Sequence, residues 1–156
     1  MLNTELATEL LNDLVKVNND RIAGYQRAIN ETKELDIDLK ATFEKMIVES
    51  EGYKQELISK LTAIGGDVEA DGTTTAGKIY RAWMDVKATF SGSDRATILD
   101  SCEFGEDAAQ RAYESALVSG AELDEEIRQL ITEQQASLKI AHDLIKKYRD
   151  AQHAAK

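Results

Sequence analysis

The stretch Leu6-Ala7-Thr8-Glu9-Leu10-Leu11-Asn12-Asp13-Leu14-Val15-Lys16-Val17-Asn18-Asn19-Asp20-Arg21-Ile22-Ala23-Gly24-Tyr25 decides the fold class. Leu6, Leu10, Leu14 and Val17, followed by Arg21, Tyr25 and Ala28, recur at steps of three or four, the spacing of one face of an α-helix. The pattern predicts a helix from roughly Thr4 to Glu34, with Thr4 as its N-cap. A charged residue, Arg21, stands in the middle of the apolar stripe.

The same pattern continues downstream. A second helix runs from a cap at Asp36 or Asp38 to about Ile64, with Leu39, Phe43, Met46, Ile47, Ser50, Lys54, Leu57 and Leu61 along its stripe. Again the middle turns polar. Gly65-Gly66 is its stop, because glycine tolerates the left-handed conformation that ends a helix. A Gly/Thr/Asp-rich loop follows, then a shorter helix from Thr74 or Thr75 to about Phe90, carrying Ile79, Trp83 and Val86. Ser91-Gly92-Ser93-Asp94 breaks it and caps a helix over about Arg95–Val118, with Ile98, Leu99, Cys102, Glu106, Ala109, Tyr113 and Ala116 inward. Ser119-Gly120 ends that one. A last helix spans about Ala121–Ala151.

Composition agrees. The 156 residues contain no proline and few aromatics, which suits long uninterrupted helices and one domain over 1–156. The formal net charge of −10 disfavours nucleic acid and anionic membrane surfaces as partners. One cysteine, Cys102, cannot form an internal disulfide, and its place on an apolar stripe points to a buried, inert thiol. The first residues lack a basic segment followed by an apolar run, and no stretch approaches the ~20 apolar residues of a membrane span. The expectation is a cytoplasmic protein.

Two helix pairs with tight turns and a long middle connection predict an all-α, ferritin-like four-helix bundle, its crossover containing the short extra helix. A simple up-down bundle is the alternative. Counting from the turns brings Asp20, Arg21, Ser50, Glu51, Lys54, Glu103, Glu106, Glu133 and Gln134 to about one height at ~1.5 Å per residue. His142 counts to about two turns below.

A carboxylate layer at mid-bundle is where di-iron proteins hold metal, using a Glu from each of two helices and Glu-x-x-His from the other two. Glu51, Glu103, Glu106 and Glu133 are the candidate ligands for iron, manganese or another divalent cation. The set is incomplete: Lys54 follows Glu51 where a histidine belongs, Ala136 follows Glu133, and the chain has only two histidines, His142 and His153. The competing reading is a structural charge network in which Arg21 and Lys54 neutralise Glu103, Glu106 or both, with Asp20 and Gln134 in the same layer. His142-Asp143 reads as a pair that bonds across to a neighbouring helix.

These residues resemble a bacterial ferritin-like four-helix-bundle family of unknown function (domain of unknown function 2383). The resemblance rests on Leu11-Asn12-Asp13-Leu14, Asp20 through Gly24-Tyr25, Gly65-Gly66, Trp83, and Cys102-Glu103-x-Gly105-Glu106-Asp107. It continues through Tyr113, Ala116-Leu117, Gln134, His142-Asp143 and Arg149-Asp150. Arg21 stands where that family usually has a small residue, and Phe104 where a polar one is common. The resemblance implies the fold and assigns no activity. The expected function is a non-enzymatic helical-bundle protein in a structural, stress-related or protein-interaction role, without a cofactor. A homodimer is compatible with it. The alternative is a metal-binding, redox-active ferritin-like protein.

Overall fold

The structure is a computed structural model and describes residues 2–32, 34, 36–70 and 95–154. Among these lie four helices and no strand: α1 (Leu2–Glu31), α2 (Ile37–Ala63), α3 (Arg95–Ser119) and α4 (Glu125–Ala154). The expected short helix with Trp83, and most of the Gly/Thr loop before it, fall outside the described residues. No described helix is long and apolar enough to cross a membrane.

The helix ends refine the sequence reading. α1 begins before Thr4, so Thr4 is not its N-cap; Thr4 instead offers its carbonyl to the Thr8 hydroxyl at 2.8 Å. α1 closes at Glu31, where the Thr32 amide and hydroxyl both donate to the Ala28 carbonyl. Asp36 occupies the N-cap position of α2, but its side chain makes no capping hydrogen bond. Its carboxylate faces Arg95 at 3.5 Å instead. The α2 stop is the one expected. Gly65 has φ 75°, its amide donates to Thr62, and the Gly66 amide reaches back to Leu61 at 2.9 Å. That pair of bonds is the Schellman arrangement, which satisfies carbonyls the helix leaves orphaned.

The turn between α3 and α4 is longer than Ser119-Gly120 suggested. Residues 120–124 form it, and α4 starts only at Glu125, with the Ile127 and Arg128 amides bonded to the Asp124 carbonyl. Arg128 reaches back to the Leu117 and Gly120 carbonyls at 3.0 and 2.7 Å. A cation there suits the negative end of the α3 dipole.

The four helices share one core. Leu11, Leu14, Leu39, Phe43, Leu57, Leu61, Leu99, Tyr113 and Ile145 are fully buried in it, and Cys102 is buried as expected. Tyr25 and Phe43 pack ring to ring at 5.5 Å, joining α1 to α2.

Contacts fix the directions. Arg21 with Glu106 and Asn18 with Tyr113 make α1 and α3 antiparallel. Glu114 with Gln135 and Asp100 with His153 make α3 and α4 antiparallel. Lys60 with Glu126 sets α2 against α4 in the same way. Gly66 at the end of α2 lies beside Thr8 near the start of α1. Arg95 at the start of α3 pairs with Asp38 in the first turn of α2. The end of α2 and the start of α3 are therefore at opposite ends of the molecule. After α2 the chain runs along the outside of α1. Asn12 bonds to the Asp67 carbonyl and the Glu69 amide, Lys16 pairs with Glu69, and Asn19 bonds to the Ala70 carbonyl.

Candidate functional site

The polar break in the α1 stripe is an ion pair sealed in the core. Arg21 is 0% exposed and Glu106 1%. Arg21 donates from Nε to Glu106 Oε1 at 2.7 Å and from Nη2 to Oε2 at 2.9 Å, the parallel fork that a guanidinium forms with a carboxylate. Its Nη1 donates to the Ser50 hydroxyl at 2.7 Å and the Met46 carbonyl at 3.1 Å. Glu49 stands 3.8 Å from Nη2, and the Tyr25 ring packs 5.2 Å from the guanidinium carbon. Burial alone would ease the proton off Arg21; Glu106 outweighs it and holds the guanidinium above its ordinary range. Burial pushes the Tyr25 hydroxyl well above its usual range, reinforced by Glu106.

A second network lies one turn nearer the start of α1. Asn18 donates to the Tyr113 hydroxyl at 2.8 Å, which donates to Gln134 Oε1 at 2.7 Å. The Gln134 amide then donates to the Tyr53 carbonyl and to Glu56. This chain of bonds joins α1, α3, α4 and α2. Burial is the main cause that raises the Tyr113 hydroxyl well above its ordinary range.

The structure separates the residues that counting had gathered. Asp20, Arg21, Ser50, Glu106 and Gln134 are buried, and Glu103 is 8% exposed. Glu51 and Glu133 are exposed, and Lys54 is half-buried. Glu133 lines an open groove of about 660 Å³ between α2 and α4, where Gln129 donates to it. Glu106 is matched by Arg21, whereas Glu103 is matched by Arg149 and His142 on α4.

Heights on α4 also shift. The residue opposite the Glu106 level is not Gln134 but lies in the neighbourhood of His142, about two helical turns along, of which the longer turn supplies about one. His142 thus stands at the level of the buried ion pair, on the α3–α4 edge, not below it.

That edge carries the second polar centre. His142 Nε2 lies 2.5 Å from Asp107 Oδ1 and 3.6 Å from Glu103 Oε1. Its Nδ1 lies 3.1 Å from Asp143 Oδ1. The expected bond from His142-Asp143 across to a neighbouring helix is present. Arg149 Nη1 donates to the other Glu103 oxygen at 3.2 Å and is itself braced by Asp150 at 2.9 Å. Burial tends to lower the His142 pKa, but Asp143, Asp107 and Glu103 outweigh it and raise it above the ordinary imidazole range. Burial raises the Glu103 carboxyl, with Asp107 adding to the effect.

Glu103 and Asp107 stand four apart on one face of α3, and each of the three residues offers an atom within 4.8 Å of the others. Sequence reasoning named Glu103 but not Asp107 or His142 as members of a site. The available signal was that four-residue spacing together with His142-Asp143 on the antiparallel helix.

Among the described residues, four long helices packed on one core, with charged groups locked at its centre, make an all-α arrangement of the helical-bundle class. Residues 7–119 match the family described as Domain of unknown function (DUF2383), and the chain belongs to that family. The matched span holds Arg21, Glu103, Glu106 and Asp107; His142 and Arg149 lie beyond it. No curated protein matches the chain.

Proposed function

We propose that this chain is a single-domain, ferritin-like bundle with a non-enzymatic structural or binding role, its centre closed by an ion pair rather than open to a pair of redox metals. The single observation that carries this is Arg21. In a di-iron bundle the central layer is lined by carboxylates converging on cations. Here a guanidinium takes the cation's place, fully buried, with both oxygens of Glu106 and the Ser50 hydroxyl turned toward it. A dication next to it would face a fixed positive charge in a medium of low dielectric. The placement of the ends of α2 and α3 at opposite ends of the molecule supports the ferritin-like crossover.

A cytoplasmic homodimer is the setting this reading expects. Val48 and Ile140 support it. Both are largely exposed, and the Gln134–Tyr53 bond between antiparallel α2 and α4 brings them to similar heights.

Aerobic incubation with ferrous ion tests the central claim. The purified protein should oxidise iron no faster than buffer, and Glu106→Gln should change nothing in that assay. Catalysed oxidation that disappears in Glu106→Gln would overturn the reading.

A further inference from the structure

We propose that Glu103, Asp107 and His142 form a site for one first-row divalent cation, of the zinc, cobalt or manganese kind, on the α3–α4 edge. The site is separate from the buried Arg21–Glu106 pair.

The argument begins with the imidazole. With Asp143 accepting from Nδ1–H, the neutral ring turns the lone pair of Nε2 toward Asp107 and Glu103. Two acceptors 2.5 Å apart repel unless a cation is shared between them. A proton can serve Nε2 and Asp107, but Glu103 Oε1 at 3.6 Å is beyond its reach. A metal ion addresses all three ligands at once.

The distances suit one. Metal bonds of ~2.0–2.2 Å in a tetrahedral site set neighbouring ligand atoms about 3.4 Å apart. The His142–Glu103 separation is already close to that, and both side chains are mostly buried, at 16% and 11% exposed. Asp107 must swing outward by about 1 Å to match the same bond lengths. Its side chain is 39% exposed and is the one free to do so. Solvent on that side can supply the fourth ligand.

The surroundings match those of a metal-bound histidine. A ligating imidazole usually donates its other nitrogen to a carboxylate, which fixes its tautomer. Asp143 holds that position. Arg149 occupies Glu103 Oε2 and leaves Oε1 turned to the imidazole. One nitrogen with two carboxylate oxygens favours zinc, cobalt or manganese over calcium or magnesium, which take oxygen alone.

The test uses the full chain, stripped with chelator and dialysed, titrated with zinc against a chromophoric competitor and with cobalt by visible absorption. The expected result is one equivalent bound. Asp107→Asn and His142→Ala should each weaken zinc binding at least about tenfold, and His153→Ala should leave it intact. Asp107 is exposed enough that its amide variant should fold, which helical circular dichroism checks. Zinc should also shift the His142 Nε2 resonance in the nitrogen-15 spectrum. The proposal is overturned by absence of binding, by affinity unchanged in Asp107→Asn, by loss in His153→Ala with His142→Ala unaffected, or by a His142 spectrum that responds to protons and not to zinc.

Discussion

Arg21 and Glu106 meet through two parallel hydrogen bonds of 2.7 and 2.9 Å, with no more than 1% of either residue exposed. Desolvating both charges offsets much of their attraction, so the pair specifies register more than it adds stability. The two ways of removing it should therefore differ. Arg21→Met alone strands Glu106 in the core and should cost about 3–5 kcal/mol. Arg21→Met with Glu106→Leu removes the buried pair and leaves only the part-exposed Glu49 carboxylate nearby, and stability should return to within about 1–2 kcal/mol of the parent. Urea unfolding of the single, double and parent chains checks this. Equal losses in single and double variants would show that the pair itself is strongly stabilising.

Tyr113 is the middle of the second network, accepting from Asn18 and donating to Gln134. Tyr113→Phe keeps the ring and removes both bonds. Gln134 Oε1 loses its donor in the core, a penalty of about 1–3 kcal/mol. For a chain of this size that is a fall in Tm of about 2–4 °C per kcal/mol, read by calorimetry. Gln134→Leu in the same background should recover part of the loss, because the orphaned acceptor goes with it.

The two glycine-bearing regions of α2 should respond in opposite directions to alanine. Gly52 lies inside the helix, exposed, with nothing within 4 Å of where a Cβ would stand. Gly52→Ala should stabilise by roughly 0.5–1 kcal/mol, since it removes unfolded-chain freedom at no steric cost. Gly65 holds φ 75° at the helix stop, so Gly65→Ala should destabilise by about 1 kcal/mol despite equally open space. Paired thermal melts decide it; an identical sign in both variants would refute the conformational explanation.

The helices were readable because burial imposes its period on the sequence, and an Arg in the Leu10, Leu14, Val17 stripe could only be a buried charge with a partner. What counting could not supply was the geometry of the α3–α4 turn. Taking Gly120 as its midpoint set Glu133 and Gln134 opposite Glu106. The chain spends residues 120–124 on the turn, and the contact at that level is made by His142. The longer turn accounts for about one helical turn of the shift and the stagger of the two helices for the rest, and neither alters the apolar stripe of α4. Height on α4 was therefore the weakest inference, and the Asp107–His142 contact was hidden by it. The capping of α1 failed for a local reason: nothing in Thr4-Glu5-Leu6 says whether the helix starts before it.

The contact between the start of α3 and the start of α2 gives the last prediction, a dependence on pH. Arg95 donates to both oxygens of Asp38 at 3.1 and 2.7 Å, and these bonds hold the Asp38 carboxyl below its ordinary range. A carboxylate whose folded pKa is depressed adds stability that is present above its unfolded pKa and lost as pH falls through the folded one. The contribution should be complete at neutral pH, begin to fade below about pH 4, and vanish once Asp38 is protonated in the folded protein. Asp38 is exposed, so the amount is screened and should not exceed about 1 kcal/mol. Arg95→Gln returns Asp38 to an ordinary carboxylate. The stability gap between parent and variant should be steady from pH 8 to pH 5, close below about pH 4, and shrink in 1 M salt. Unfolding measured across that range separates this from a packing role for the Arg95 stem, which would leave the gap constant with both pH and salt.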